Sequence, residues 1–355
     1  MINPNTCPKM PVAQCPATAN AFNRKATANT GTFLGPLQTL VNGNEWVGDT
    51  GFNLMVVPNP NPENLGFIVL ISQLFETDVF TAVPAPVPNR SLNNGTEQIG
   101  AVKYSQKVAE NVSKNILHEE TGMWLNQTLG TLVTDPTGNG LEMVNGTLDG
   151  QPASNYVLTN PVIRSGTVPH GNTFQAAGVW NNYPFQQPIS GDISKYIQLS
   201  NFPTVNGNLS FLPTYADGSN PADLQAAYIT QLQKALTIMG IDPNTYENFI
   251  NPIGFLNKYA NNITNIDALP ITTANNMGAV LNIPFERAVV GPQEFVCTFM
   301  IETIQNAPLD APLTDQNPSY FQIQYLQSIP LLFPNGFKGK AVIFPHWNVN
   351  TVIAI

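Results

Sequence analysis

The chain has 355 residues, of which 43% are apolar and only 10% are charged. The apolar fraction is enough for a sizeable core in one large domain or two ordinary ones, although the charged fraction is far below the usual ~25%. The formal net charge of −9 leaves no basic footprint for a phosphate backbone, so we expect no nucleic-acid partner. The longest apolar run, Phe67–Ile71, has the length of a strand and is too short to span a bilayer, so we expect no membrane partner.

The first 30 residues are polar and have no period, which predicts a loosely held arm. They contain no basic stretch followed by an apolar one, so we expect no secretory signal and a soluble, cytoplasmic protein. The three cysteines, Cys7, Cys15 and Cys297, show no CxxC spacing, and they indicate neither a disulfide framework nor a zinc knot. Cys297 lies in a strand-like run and is predicted to be a small buried residue.

Strand-like segments follow the arm and return at the end of the chain, and 31 prolines and 26 glycines favour many short elements joined by turns. The predicted strands are Gly51–Val57, Gly66–Phe80, Ile99–Val108, Ile116–Leu125, Tyr156–Val168, Asn172–Val179, Glu294–Ile304, Phe321–Phe333 and Lys340–Ile355. A long final strand is typical of a barrel in which the last strand pairs with the first. We therefore predict a mainly β fold, an antiparallel up-and-down β-barrel of the calycin type, formed by residues 31–180 and 281–355.

Residues 181–280 have a different pattern. Asn220 opens a segment with apolar residues at helical spacing, and Gly240 ends it. A second helix is predicted over residues 245–263, interrupted at Pro252. We expect this partly helical insertion to pack on the barrel through its apolar stripe, with a lid over a pocket mouth as the alternative.

The three histidines of the chain are the first candidates for chemistry, because neutral imidazole is the commonest protein ligand for heme iron and transition metals. His118 lies in LHEETGMWL, His170 in the turn-like VPHGN, and His346 in FPHWNVN. They come from distant segments without HxH or HExxH spacing, which argues against a zinc site. The glycine patterns of nucleotide-binding loops and of nucleophilic serine hydrolases are missing as well.

Six segments, in order, resemble the nitrobindin family of heme-binding β-barrels. Gly43–Gly51 is similar to its G-x-W-x-G-x-G opening, and Leu117–Gly122 is similar to its L-H-x-E-x-G segment. The other four are Phe75–Phe80, Val102–Gln106, Tyr325–Gln327 and Phe344–His346. The resemblance implies a b-type heme whose iron is ligated by the histidine of the closing strand, here His346. We further predict that Tyr325 and Trp347 contact the heme. A peroxidase role would need a distal acid–base group, for which His170 and His118 are the candidates.

Strand alternation gives a conflicting prediction for His346. It places Phe344, His346, Asn348, Asn350 and Val352 on one face, and Ile343, Trp347, Val349, Thr351 and Ile353 on the other. The second face is the more apolar and looks like core, which argues against an inward His346. A bulge at Pro345, or insertions that bury the outside of the barrel, would remove the conflict.

Two functions from different classes remain open on this sequence. The first is a ferric heme protein that acts on peroxynitrite, nitric oxide or peroxide, which the resemblance implies. The second is a carrier without metal that holds a lipid or another apolar small molecule in a calycin-like barrel. A biosynthetic enzyme that uses the barrel as a shaped pocket is a third reading. The oligomeric state is left open by the sequence.

Overall fold

The structure of the protein is a computed structural model. It describes residues 34–43, 45–59, 61, 65–84, 87–88, 98–128, 147–148, 151–152, 161–168, 172–275, 277–282, 291–292, 294–305 and 319–355. Within these ranges the chain forms strands, one longer α-helix and several short helices.

The strands are numbered in chain order. They are β1 (Trp46–Gly48), β2 (Phe52–Pro58), β3 (Phe67–Ala82), β4 (Val87–Pro88), β5 (Gln98–Glu110), β6 (Ile116–Thr128), β7 (Thr147–Leu148), β8 (Gln151–Pro152), β9 (Pro161–Val168), β10 (Asn172–Val179), β11 (Asn181–Ile189), β12 (Thr204–Val205), β13 (Asn208–Leu209), β14 (Thr214–Tyr215), β15 (Ile263–Thr272), β16 (Ala279–Asn282), β17 (Gly291–Pro292), β18 (Val296–Gln305), β19 (Ser319–Ser328), β20 (Leu331–Phe337), β21 (Lys340–Phe344) and β22 (Trp347–Ala354).

The fold is dominated by a closed barrel of ten antiparallel strands. Its order is β2, β3, β5, β6, β9, β10, β15, β18, β19 and β22, after which β22 pairs with β2 and closes the ring. Every barrel strand is therefore a neighbour of the previous one in sequence, as predicted for an up-and-down barrel. Closure satisfies the hydrogen-bonding groups that an open sheet would leave at its edges.

The helices are α1 (Ala222–Ile238), α2 (Glu247–Ile250) and α3 (Ile253–Asn257), with 3₁₀ turns at Gly35–Asn42, Ser194–Tyr196, Leu199–Asn201 and Pro243–Thr245. The sequence predicts that the apolar residues at helical spacing in α1 pack against the barrel. Three of them, Leu224, Tyr228 and Leu232, are fully buried. Proline separates α2 from α3 at the predicted position, Pro252. No helix in the described ranges is long and apolar enough to cross a membrane.

Two separate apolar cores lie on opposite sides of the barrel wall. The inner core fills the barrel and contains Trp46, Trp124 and Tyr325. The outer core lies between the wall and the helices, and contains Trp347 and most of the buried face of α1. We call residues 190–262, which cover this part of the wall, the helical cap. A small sheet in the order β14, β21, β20, β17 joins the cap to the closing region of the barrel.

The domain boundaries need one correction. The insertion predicted over residues 181–280 is too long, because β15 (263–272) is a barrel strand that pairs with β10 and β18. Its residues are buried almost throughout, so it lacks the alternating pattern that reveals a strand with one solvent face. Likewise, Phe321–Phe333 is two strands separated at Pro330, and Lys340–Ile355 is two strands separated at Pro345 and His346. The arm at residues 1–30 lies outside the described residues.

One carboxyl group is buried between barrel wall and cap. Glu302 on β18 accepts a hydrogen bond at its Oε2 from Gln322 Nε2 (2.8 Å), and the same amide donates to the carbonyl of Tyr259 just after α3 (2.9 Å). Burial raises the pKa of Glu302 to about 8.

We expect Glu302 to make the protein less stable as the pH rises from about 4.5 to about 8. The unfolded carboxyl releases its proton near pH ~4.3, whereas the folded carboxyl keeps it up to about 8. In that window the free energy of unfolding falls by up to ~1.4 kcal/mol per pH unit, and it levels off above. Urea unfolding at several pH values measures this slope, and Glu302→Gln should make it shallower. An equal slope in both proteins would contradict the assignment.

Candidate functional site

Residues from the segments that carry the resemblance meet inside the barrel. Trp46, Glu76, Tyr104, Glu120 and Tyr325 are all buried. They come from β1, β3, β5, β6 and β19, and strand alternation places them on inward faces. The segments that look alike in sequence thus contribute to one polar cluster surrounded by the inner core.

The centre of this cluster is an ion pair. Arg164 on β9 donates from Nη2 to Glu120 Oε1 (2.9 Å) and from Nη1 to Gln327 Oε1 (3.2 Å). Its Nε donates to Tyr104 Oη (3.1 Å), and the Tyr104 hydroxyl donates to Glu120 in turn. The Arg164 side chain is only 3% exposed. Its buried positive charge is stabilised by these charge-assisted hydrogen bonds, which also hold the guanidinium in one position.

The ion pair sets the protonation state of Glu120. Burial alone would raise the pKa of Glu120, but the charge of Arg164 and hydrogen bonds from His118 and Tyr104 lower it to about 2. Glu120 is therefore a carboxylate at neutral pH. Burial by itself would lower the pKa of Arg164. Glu120 and Tyr104 outweigh this effect and raise the pKa above its ordinary value.

Two glycines make room for this arrangement. A Cβ at Gly122 would lie 2.7 Å from the Tyr104 hydroxyl oxygen, and a Cβ at Gly166 would lie 2.6 Å from the same atom and closer still to Glu120. These distances are below any normal carbon–oxygen contact. The glycine of the L-H-x-E-x-G segment is thus explained first by the backbone carbonyl of Ser165 on β9, which is the nearest atom to that Cβ, and then by Tyr104 on β5.

A second pair of acids lies in the same interior. Glu76 accepts hydrogen bonds from Gln106 Nε2 (2.6 Å), Tyr325 Oη (2.6 Å) and Asn350 Nδ2 (2.7 Å). Asp78 is also buried. Burial and the neighbouring Glu76 raise the pKa of Asp78 well above its ordinary value.

His346 lies at the rim of the barrel, immediately before β22. Its Nε2 is 3.1 Å from Asn53 Oδ1 on β2, and the side chains involved are partly buried. Its backbone carbonyl accepts a hydrogen bond from the N–H of Ile329 (2.9 Å). His346 is therefore opposite Ile329, in the same register that places Asn350 opposite Tyr325. Ile329 packs against the inner core, which identifies this side of the rim as the inward one.

The inward face of the β2–β3 hairpin continues this rim with apolar side chains. Leu54 and Val56 belong to the outer core, so Met55 lies on the opposite, inward face two residues beyond Asn53. Met55 is opposite Leu70, and Leu70 is 42% exposed. The rim therefore combines one imidazole and one amide with a partly exposed apolar surface.

Trp347 requires a correction. It is fully buried in the outer core, with ring centroids 5.9 Å from Phe211 and 6.3 Å from Phe249. It faces the cap because β22 alternates, which puts it on the opposite side of the wall from Asn350. The predicted contact between Trp347 and a cofactor inside the barrel is therefore wrong. The apolar face of the closing strand is core, as expected, but this core lies outside the barrel.

The remaining predicted site residues are only partly brought together. Tyr325 lies inside the barrel beneath the rim. His118 on β6 has a side chain 28% exposed, and its Nε2 is 3.2 Å from Glu120 Oε2, which connects it to the Arg164 cluster. His170 lies outside the described residues. In the described part of the chain, no three His, Cys, Asp or Glu side chains are grouped as metal ligands.

Sequence reasoning missed three residues of this region. Arg164 appears in VIRSGTV as a lone cation within an apolar strand, and an inward position for a charge was the available signal. Asp78 lies in the Phe75–Phe80 segment that carries the resemblance, but the sequence assigned no function to it. Asn53 gave no signal, because its significance comes from a contact with His346 across 293 positions of the chain.

Comparisons with known proteins add little to this geometry. No protein-family model matches the chain, and no curated protein matches it. The solved structure of Rv2717c from M. tuberculosis aligns over 91% of this chain and 96% of its own, with 10% identity and a TM-score of 0.35. A MaoC domain protein from Chloroflexus aurantiacus J-10-fl aligns over 93% and 82%, with 10% identity and a TM-score of 0.14. Neither score is high enough to support an argument about fold or function.

We expect Arg164→Met to destabilise the protein by about 3–5 kcal/mol, because it removes the guanidinium that compensates the buried charge of Glu120. The double variant Arg164→Met with Glu120→Gln removes both charges and should recover part of that loss. Chemical denaturation of the three proteins measures the difference. A single variant as stable as the unsubstituted protein would show that the ion pair does not hold the cluster together.

Proposed function

We propose that the protein binds heme b at the rim of the barrel, with His346 as the iron ligand. The observation that carries this proposal is the position of His346, which stands on the inward side of the rim beside the apolar Met55 and Leu70. A neutral imidazole next to an apolar surface suits both parts of a heme, the iron and the porphyrin ring.

The rest of the site limits where a ligand can lie. The inner core and the Arg164 cluster fill the described interior with buried side chains, so a porphyrin belongs at the rim and not deep in the barrel. The contact between His346 Nε2 and Asn53 must be exchanged when this nitrogen binds iron. Asn53 then stays close to His346 as a neutral hydrogen-bonding group.

His118 is the residue we propose for acid–base work at this site. Glu120 Oε2 lies 3.2 Å from His118 Nε2, so the carboxylate holds the imidazole in a fixed orientation, as a general base requires. A bound ferric heme would supply an iron that reacts with small oxidants such as peroxide or peroxynitrite, or that binds nitric oxide. His170 keeps the same predicted role, outside the described residues.

The partly exposed Met55 and Leu70 also favour a second candidate, a carrier of an apolar small molecule without metal. Such a ligand would use the apolar rim and have no need of His346. The two functions therefore predict different effects of replacing that histidine.

Hemin titration of the purified protein, followed by absorption, tests the proposal. We expect a saturable Soret shift, and His346→Ala should weaken binding by more than tenfold, that is by more than ~1.4 kcal/mol. His118→Ala is the matched control, because it removes a partly buried histidine that is no iron ligand. It should keep the Soret shift and lower the rate of peroxide consumption.

The alternatives give distinct results in the same experiment. No Soret shift, or a shift unchanged by His346→Ala, would refute heme binding through this residue. If a fluorescent fatty acid bound instead, and Leu70→Asp abolished that binding while His346→Ala did not, the carrier function would be favoured.

A further inference from the structure

Two tyrosines inside the barrel donate their phenolic hydroxyls to buried carboxylates. Tyr325 Oη is 2.6 Å from Glu76 Oε2, and the Tyr104 hydroxyl donates to Glu120 Oε1. Tyr325 is 1% exposed and Glu76 is fully buried. A phenol that donates to a carboxylate has a proton acceptor in place, which is what one-electron oxidation of tyrosine needs, since the oxidised phenol is a strong acid.

The two pairs differ in charge. Glu120 is balanced by Arg164 at 2.9 Å, so oxidation of Tyr104 would leave an excess positive charge in the barrel. Glu76 accepts hydrogen bonds from the uncharged side chains of Gln106, Tyr325 and Asn350. Proton transfer from Tyr325 to Glu76 therefore breaks no ion pair, whereas the same transfer from Tyr104 to Glu120 would leave the Arg164 charge uncompensated in a low-dielectric interior.

We propose that Tyr325 is a redox-active tyrosine that gives one electron to an oxidant at the barrel rim while Glu76 takes its phenolic proton. The O–H bond of Tyr325 breaks and a new O–H bond forms at Glu76 Oε2. The products are a neutral tyrosyl radical, a neutral carboxylic acid and a reduced oxidant. The natural oxidant, derived from peroxide or peroxynitrite, rests on the proposed function, whereas the redox property of Tyr325 does not.

The surroundings of Tyr325 support both electron transfer and a long-lived radical. Its ring is stacked on Phe299 at 6.3 Å and 12°, and Phe299 lies 5.0 Å from Trp124. Asn350, opposite Tyr325 on β22, is four residues from His346, a separation of roughly 13 Å along a strand. Because Tyr325 is buried, its radical is shielded from coupling with other molecules.

The experiment uses the full chain without heme, so that its result is independent of heme binding. Tris(bipyridine)ruthenium(II) is illuminated with persulfate to generate the one-electron oxidant, the sample is frozen after a delay, and tyrosyl radical is measured by EPR. Radicals on exposed tyrosines decay during the delay. We expect a persistent signal that Tyr325→Phe largely removes and that the matched variant Tyr104→Phe retains.

Glu76→Gln tests the proton acceptor, and it should lower the persistent signal although Tyr325 is still present. Circular dichroism checks that each variant is folded. If Tyr325→Phe does not fold, 3,5-difluorotyrosine at position 325 keeps the ring and should change the hyperfine splitting of the signal. A persistent signal unaltered by either change at position 325, or one removed by Tyr104→Phe alone, would overturn the proposal.

Discussion

The strands on the capped side of this barrel are buried on both faces, and most of the architecture follows from that constraint. The inner core occupies one side of the wall, and the helical cap covers the other through the outer core. On β22, Val352 contributes to the first and Trp347 and Val349 to the second. A strand of this kind must be apolar on both faces except where a polar residue has a specific partner. Several polar residues of these strands accordingly belong to the cluster in the barrel or hold the cap to the wall.

The polar residues separate accordingly into two groups. Glu76, Glu120 and Arg164 face inward and form the cluster, whereas Gln322 and Gln324 face outward and donate to carbonyls at Tyr259 and Leu256. The outward group fixes the end of α3 on the wall. The inward group places charge in an apolar surrounding, where only paired or hydrogen-bonded ions are tolerated.

The sequence was sufficient for the fold class and for most strands, because alternation and turn residues are local signals. It failed for β15, because its first half carries Asn265 and Asp267, its second half contains Pro270, and its last five residues are buried on both faces without alternation. The same cause produced the ambiguity at the closing strand, where the more apolar face was taken as the inside of a barrel. Trp347 was consequently predicted in the wrong compartment. Hydrophobicity shows that a face is buried but not which core buries it.

The candidate site was less predictable than the fold. His118, Glu120 and Tyr325 stood in recognisable segments, and the structure brings Glu120 and Tyr325 into the same interior. Arg164, Asp78 and Asn53 acquire their meaning only through partners on other strands, as the pairing of Arg164 with Glu120 across 44 positions shows. Contacts of that kind have no local signature in one sequence. The heme ligation implied for His346 stays a prediction.

The simple meander of the barrel has a consequence for synthesis on the ribosome. Since β22 closes the ring against β1 and β2, the ring is incomplete until β22 has left the exit tunnel. Until then β2 lacks a neighbour and Glu76 lacks Asn350 and Tyr325, although the cap residues have already been made. Folding is thus dominated by contacts distant in sequence, which makes it slow and leaves intermediates exposed to aggregation.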